Sequence, residues 1–167
     1  MTVTVRRLGP EDATVYQALR LHGLRTQPRQ FRTTAEAEAG VAPAAVAARL
    51  AKDFVVGLCE DQRLQGIGGL SPCEGARLAH KAVLGGMYLA DTLRGTGAAD
   101  TLMAAILAEA DRHYTMVILT AAADNGRAIA FYERWGFRTY GVEPMALRIA
   151  PDEYADEASM SRRAGAR

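Results

Sequence analysis

The chain has 167 residues, a length typical of one domain that buries a single core without help from metals or disulfides. Lysine and arginine number 20 against 19 aspartates and glutamates, so the net charge of +1 gives no general attraction to nucleic acid or to a membrane. The two cysteines form no CxxC pair and the three histidines lie far apart, which disfavours a metal or redox site. These features predict one domain, residues 1–167, with a small or locally recognised partner.

Targeting signals are not evident in the sequence. MTVTVRRLG lacks the apolar core of a signal peptide, and no segment approaches the roughly 20 apolar residues that span a bilayer. We therefore expect a cytoplasmic protein. Cys59, in the apolar segment FVVGLCE, is expected to be a small buried hydrophobe rather than a catalytic thiol.

The first half of the chain alternates strand and helix patterns. TVTVRRL alternates as an edge strand does, and the helix pattern that follows has these apolar residues at helical spacing: Val15, Ala18, Leu19 and Leu21. After a polar loop with Phe31, PAAVAARLA predicts an alanine-rich helix that starts with proline. FVVGLCE and RLQGIGGLSP predict two strands joined by EDQR, and the glycines of the second suggest bulges or close packing.

A strand, a helix and a second strand follow in that order. AVLGGMYLA is an apolar run, and TMVILTA is typical of a buried strand. The segment between them predicts an amphipathic helix with one buried face: Ala99, Leu102, Met103, Ile106 and Leu107. This βαβ order predicts parallel strands with ligand chemistry near their carboxyl ends.

The last third of the chain begins with a helix pattern, NGRAIAFYERWGF, which Gly136 closes in the manner of a C-cap. RTYGVEPMALRI then predicts a strand with a kink at Pro144. The remainder is acidic first and basic last, and its composition favours a loop and a frayed terminus.

Two glycines stand where the long central helix begins, in DTLRGTGAADTLM. Glycine costs about 1 kcal/mol relative to alanine inside a helix, so Gly95 and Gly97 need a backbone reason. The first turn of a helix offers unpaired N–H groups to an anion, and the missing Cβ atoms let a diphosphate reach them, with Arg94 as a cation at the rim. Close packing alone is the other explanation. Asp100 stands where a dinucleotide fingerprint needs a third glycine, and no phosphate-binding G-x-x-x-x-G-K-[ST] is present.

Two motifs resemble one known family. RGTGAA, residues 94–99, resembles R-x-x-G-x-A, the acyl-coenzyme A diphosphate loop of the GNAT superfamily of N-acetyltransferases. NGRAIAFYERWGF, residues 125–137, resembles the N-x-x-A-x-x-x-Y-x-x-x-G-F of the same superfamily. The resemblance covers nearly the whole chain. It implies a mixed, mostly antiparallel, twisted sheet of about six to seven strands with a splayed parallel pair and about four flanking helices, and it makes residues 156–162 a closing strand.

The resemblance also implies a function, an acetyl-CoA-dependent N-acetyltransferase in which a small-molecule primary amine attacks the thioester directly. Acetyl-CoA, the cosubstrate, would lie between GMYLA and VILTA. The implied cofactor-binding residues are Leu89, Arg94, Gly95, Thr96, Gly97, Ala98, Ala99, Asn125, Ala128 and Tyr132. The catalytic roles go to the N–H of Leu89, which would polarise the thioester carbonyl, and to Tyr132, which would donate a proton or a hydrogen bond to the departing sulfur. No metal takes part.

The residue that deprotonates the amine is not selected by the sequence. An amine with a pKa of about 10.4 costs about 4 kcal/mol to deprotonate near pH 7.4, so a base or a water chain is needed. The candidates are Glu36, Glu38, Glu74 and His80. By resemblance, the substrate-binding residues are Phe31, Glu36, Glu38 and Tyr154.

The sequence does not identify the acceptor of the acetyl group. The acidic residues suit a cationic amine, whereas Arg25, Arg29 and Arg32 can hold a carboxylate, so polyamines, amino acids and peptide amines all remain. The alternatives to a small-molecule enzyme are a protein or peptide N-terminal or lysine acetyltransferase and a non-catalytic acyl-CoA-binding regulatory module. Tyr132 favours catalysis, because a module that only binds does not need it. We expect neither nucleic acid nor membrane as a partner, and a homodimer is left open.

Overall fold

The computed structural model describes residues 3–166. Among these residues, seven strands form one mixed sheet with a single parallel pair, in the order β1-β2-β3-β4-β5-β7-β6, and five α-helices flank it. The strands are β1 (Val3–Arg7), β2 (Phe54–Glu60), β3 (Arg63–Pro72), β4 (Lys81–Leu89), β5 (Met116–Ala122), β6 (Arg138–Ala150) and β7 (Glu153–Arg163). The helices are α1 (Ala13–Thr26), α2 (Ala35–Ala39), α3 (Pro43–Lys52), α4 (Ala98–His113) and α5 (Gly126–Arg134). The predicted fold class is confirmed.

The chain packs as two compact units. The first contains the chain up to Pro72 together with Leu84–Glu109, and the second contains Cys73–Val83 and the chain from Ala110 onward. The single domain over residues 1–167 stays a prediction. Across residues 3–166, no helix has the length and apolarity needed to cross a lipid bilayer.

In the first unit, β1 is an edge strand and β2 and β3 form a hairpin, as predicted; β1 pairs antiparallel with β2. The apolar run of β2 is almost entirely buried, and Cys59 is a buried free thiol within it. β3 approaches β2 closely, since a Cβ added to Gly69 would lie 2.7 Å from the carbonyl oxygen of Phe54. The glycines of β3 therefore serve close packing.

The predicted first helix is present as α1, but the apolar residues that stand at helical spacing do not form one buried face. Val15 is 51% exposed and Ala18 is exposed. The helix instead buries Ala13, Tyr16, Gly23 and Leu24, with two turns between Tyr16 and Gly23. Arg20 lies on the same face, one turn after Tyr16, so a charged side chain interrupts the apolar face and hides its periodicity.

The short helix α2 stands in the segment that the sequence pattern treats as a polar loop. Thr34 caps it, because its Oγ1 accepts a hydrogen bond from the N–H of Ala37 at 3.1 Å. Glu36 and Glu38 follow in the first turn, where carboxylates interact favourably with the helix dipole. α4, in contrast, buries the face that its spacing predicts: Leu102, Met103, Ile106 and Leu107 are buried.

In the second unit, the start of β4 pairs in parallel with β5, from Lys81↔Met116 to Val83↔Ile118. β5 continues antiparallel to β7, which pairs in turn with β6. The β6–β7 register shifts between Glu143 and Leu147, as the predicted kink requires.

The tail after β6 is an ordered strand, so the loop expected from composition is wrong and the strand implied by the resemblance is confirmed. Arg162, near the end of β7, is only 5% exposed. It donates to Asp111 Oδ1 at 2.6 Å and to the carbonyl oxygen of Trp135 at 2.9 Å. The hydrogen bond from Arg162 lowers the pKa of the Asp111 carboxyl. Arg162, which looks solvent-exposed in the sequence, is therefore part of the core of this unit.

Candidate functional site

The loop before α4 has a backbone that glycine adopts most easily. After the short turn Asp91–Leu93, Gly95 and Gly97 have φ angles of +74° and +85°. A Cβ added to either residue would meet no heavy atom within 4 Å. Close packing therefore does not explain these glycines, whereas the left-handed backbone does, and the space beside the loop is open to a ligand.

The start of α4 has no side-chain cap from the preceding residue. Its first backbone hydrogen bond runs from the N–H of Thr101 to the carbonyl oxygen of Gly97 at 3.1 Å, and Gly97 has no side chain. The N–H groups of Ala98 and Ala99 precede this bond and have no acceptor within the helix. In a helix of 16 residues, these groups and the helix dipole favour an anion.

Arg94 lies at the rim of the same loop. Its Nη2 is 2.7 Å from Asp91 Oδ1, and both side chains are exposed. An exposed ion pair of this kind contributes little to stability, about 0 to 1 kcal/mol. The guanidinium can therefore exchange Asp91 for a phosphate oxygen at little cost.

Leu89 ends β4 in the same unit as the loop. The N–H of Ala90 donates to the carbonyl oxygen of Gln65 in β3 at 2.8 Å. Because successive N–H groups of a strand point to opposite edges, the N–H of Leu89 points away from β3. This backbone donor is the one that the resemblance assigns to the thioester carbonyl.

Asn125 and Tyr132 lie in the second unit. Asn125 caps α5, since its Oδ1 accepts from the N–H of Ala128 at 3.1 Å. Tyr132 packs edge-to-face against Phe131 and Phe137, with ring centroids 5.5 Å and 5.8 Å away. Burial raises the pKa of Tyr132 to about 12, so its phenol is neutral near pH 7. No hydrogen bond with residues 3–166 engages its hydroxyl, which is left as a donor.

Glu38 is 3% exposed and lies between two arginines. Arg49 Nη1 donates to Glu38 Oε1 at 2.8 Å, and Arg20 Nε lies 3.1 Å from Oε2 as an ion pair that is not oriented for a hydrogen bond. Burial raises the pKa of the Glu38 carboxyl, but the hydrogen bond from Arg49 and the charge of Arg20 outweigh it and lower the pKa below its usual range. A carboxylate of this kind is a poor base; it orders the two arginines.

The other acceptor-side candidates lie in several places. Phe31 packs against the core of the first unit, and Glu36 is exposed on α2. Glu74, His80 and Tyr154 are exposed in the second unit. Their roles as base or substrate-binding residues stay predictions. Within residues 3–166, no group of three histidine, cysteine, aspartate or glutamate side chains is placed to hold a metal ion.

A cavity of about 350 Å³ lies within the first unit, and sequence reasoning did not name its polar wall. Its polar lining consists of Tyr16, Arg20, Arg49, Asp53 and Ser71. The volume falls in the range of small-molecule sites, about 300 to 1,000 Å³. The one available signal in the sequence was Arg20, a charge one turn after Tyr16 on the first helix.

The family model described as the acetyltransferase (GNAT) family matches residues 20–137. This match includes the glycine loop, α4 and α5. The chain belongs to the GNAT family of acetyltransferases. A search of curated protein sequences finds no match.

Solved structures of GNAT proteins share the fold. An acetyltransferase of the GNAT family from Streptococcus pneumoniae is 17% identical, with a TM-score of 0.86 over 98% of this chain and 100% of that one. A Salmonella typhimurium protein solved with its cofactor acetyl-CoA is 15% identical, with a TM-score of 0.82 over 100% and 96%. The ribosomal-protein-S18-alanine N-acetyltransferase from Escherichia coli is 15% identical, with a TM-score of 0.75 over 98% and 94%. GNAT enzymes take their acetyl group from acetyl-CoA.

Proposed function

We propose that this GNAT protein is an acetyl-CoA-dependent N-acetyltransferase that moves an acetyl group to a primary amine of a small molecule. The observation that carries the proposal is the start of α4. Two glycines with positive φ stand beside open space, directly before a helix whose first N–H groups have no internal acceptor. That arrangement fits a diphosphate, as acetyl-CoA contains.

Residues of the loop would hold the donor. The N–H groups of Gly97, Ala98 and Ala99 would bind the diphosphate oxygens, and Arg94 would add a charge-assisted hydrogen bond at the rim. Acetyl-CoA supplies an activated thioester when it is bound. Bulk at Gly97 would strain the backbone and also fill the space that the diphosphate needs.

Two further donors would act on the reacting group. The N–H of Leu89, which points away from β3, is proposed to stabilise the negative charge that develops on the carbonyl oxygen. The neutral Tyr132 phenol is proposed to donate to the sulfur that leaves. Asn125 Oδ1 already accepts from Ala128, so the amide NH₂ of Asn125 is the group left to bind the donor.

The cavity in the first unit supports a small acceptor rather than a peptide. Its volume of about 350 Å³ suits a metabolite, and its wall carries charged groups of both signs. The alternative is a peptide acetyltransferase. The Escherichia coli neighbour acetylates a ribosomal protein and has the same fold, but a shared fold does not identify the substrate.

The experiment combines donor binding with acceptor-dependent turnover. Calorimetry measures acetyl-CoA binding, and thiol release measures turnover with polyamines, amino acids and dipeptides as acceptors. The proposal expects donor binding and thiol release with a small amine, together with a slower Tyr132→Phe variant. Donor binding without acceptor-dependent release, and with an indifferent Tyr132→Phe variant, would establish the regulatory module instead. Release with dipeptides alone would establish the peptide enzyme.

A further inference from the structure

The cavity in the first unit contains an arginine, Arg20, whose guanidinium makes no hydrogen bond with residues 3–166. The Arg20 side chain is 15% exposed and lines the cavity. Its Nε faces Glu38, while its Nη1 and Nη2 atoms donate to no residue among 3–166. Nη1 lies 3.4 Å from the position that a Cβ on Gly86 would occupy, so the guanidinium reaches across to β4. Nε is buried without a hydrogen bond, whereas Nη1 and Nη2 are free to donate to a ligand or to water in the cavity.

Around Glu38, the positive charges of the cavity wall outnumber the negative ones. Glu38 is a single carboxylate between Arg20 and Arg49. Arg49 donates a hydrogen bond to Glu38, whereas Arg20 makes an ion pair with Glu38 and a cation–π contact with Phe31, its Cζ 5.9 Å from the ring centroid. The planar fork of a guanidinium matches a carboxylate, which accepts two parallel hydrogen bonds from it.

The same wall also carries an anion. Asp53 Oδ2 accepts from Ser71 Oγ at 2.7 Å, and within residues 3–166 Asp53 has no ion pair. An unpaired carboxylate attracts the ammonium form in which an amine arrives at neutral pH. A cavity of about 350 Å³ with one unused cation and one unpaired anion matches a zwitterion.

Resting on the proposed function, we propose that the acceptor is a free amino acid and that Arg20 binds its carboxylate. Arg20 is then the residue that determines acceptor specificity, and Glu38 is a positioning residue that holds the guanidinium at the cavity wall. A peptide amine lacks the neighbouring carboxylate, so Arg20 selects against it. Polyamines lack any carboxylate and are excluded for the same reason.

The test compares acids with their amides on the intact protein. Thiol release is measured with the common L-amino acids and with the same amino acids as C-terminal amides. Losing one hydrogen-bonded charge pair lowers kcat/KM by about 10- to 100-fold, so the best acid should exceed its amide by that factor. Arg20→Gln should lower kcat/KM for the acid and leave the amide nearly unchanged, which removes the preference. Arg20→Lys keeps the charge next to Glu38 and should retain part of the preference.

Two controls separate the outcomes. Arg63→Gln removes an exposed arginine of the same unit and should change neither acid nor amide. Thermal unfolding of the Arg20 variants checks folding, and the comparison of acid with amide on the unmodified chain needs no variant. Equal rates for acids and amides, or turnover of polyamines alone, would overturn the inference and leave the acetyltransferase in place.

If no turnover is found, a binding experiment tests whether Arg20 binds a carboxylate. Calorimetry of the same acids and amides then measures the cavity directly. Heat with an acid that is lost in Arg20→Gln would retain the carboxylate site although the acetyltransferase proposal had failed. No heat with any acid in that case would overturn both.

Discussion

The two helices that carry the family motifs begin in opposite ways. α4 begins after Gly97, which has no side chain, so its first N–H groups stay available to a ligand. α5 begins after Asn125, whose Oδ1 takes up the N–H of Ala128. The residue before the first turn therefore decides whether the first N–H groups of a helix can bind an anion or are capped by a side chain. On this account α4 binds the donor, and α5 positions Tyr132.

The largest expected effect is on the chemistry assigned to α5. Tyr132→Phe removes the phenol that donates to sulfur and should lower kcat by about 100-fold, the lower end of what general acid catalysis contributes. The Kd for acetyl-CoA should not change, because the ring packing against Phe131 and Phe137 is kept. Steady-state thiol release and calorimetry give the two numbers. An unchanged kcat would remove Tyr132 from the mechanism.

A pair of matched glycine substitutions tests the contrast between the helix starts. Gly97→Ala puts a Cβ at φ +85° beside the diphosphate and should weaken acetyl-CoA binding by at least about tenfold, from backbone strain of about 1 to 2 kcal/mol and lost contact. Gly126→Ala makes the same change at the first residue of α5, where φ is not positive and the space is open, and should leave binding unchanged. Calorimetry measures both, and equal affinities would contradict the contrast.

The pH dependence of stability tests the burial of the Tyr132 phenol. The folded pKa, about 12, lies above the ordinary value, so the stabilisation is complete below pH 10 and is lost as pH rises from 10 to 12. At pH 11 the loss is about 1.4 kcal/mol, and Tyr132→Phe escapes it. Between pH 8 and pH 11, the free energy of unfolding measured in urea should therefore fall by about that amount more in the unmodified protein than in the variant. No relative gain at pH 11 would indicate a solvated phenol.

The smallest expected effect concerns the cap of α5. Asn125→Ala removes the acceptor for Ala128 and should cost about 1 kcal/mol of unfolding free energy, a fall in Tm of about 2 to 4 °C. The corresponding residue of α4 has no cap to lose. Thermal unfolding measures the cost, and the KM for acetyl-CoA tells whether the amide NH₂ also binds the donor. A variant of unchanged Tm would show that the cap contributes nothing.

The sequence predicted the parts of the molecule that depend on local pattern. The buried face of α4 follows a regular apolar spacing, and the loop at Gly95 and Gly97 requires a local backbone conformation. The family follows from two short motifs.

Features that depend on distant residues could not be predicted in this way. The burial of Tyr16, Gly23 and Leu24 in α1 was not predicted because Arg20 interrupts their face of the helix, and the partner of Arg20 comes from α2. The tail is a strand partly because Arg162 finds Asp111, which is 51 residues earlier. The cavity wall combines α1, α3 and three strands, so no single segment reveals it.

The most direct test of the central claim follows the acetyl group itself. The protein is mixed with acetyl-CoA labelled in the acetyl carbonyl with ¹³C and with an amino-acid mixture, and mass spectrometry is compared with thiol release over time. The account predicts one labelled N-acetyl amino acid for each thiol released, and no release without acceptor. Thiol release with the label recovered only as free acetate would contradict it, because the chain would then hydrolyse the donor rather than transfer its acetyl group.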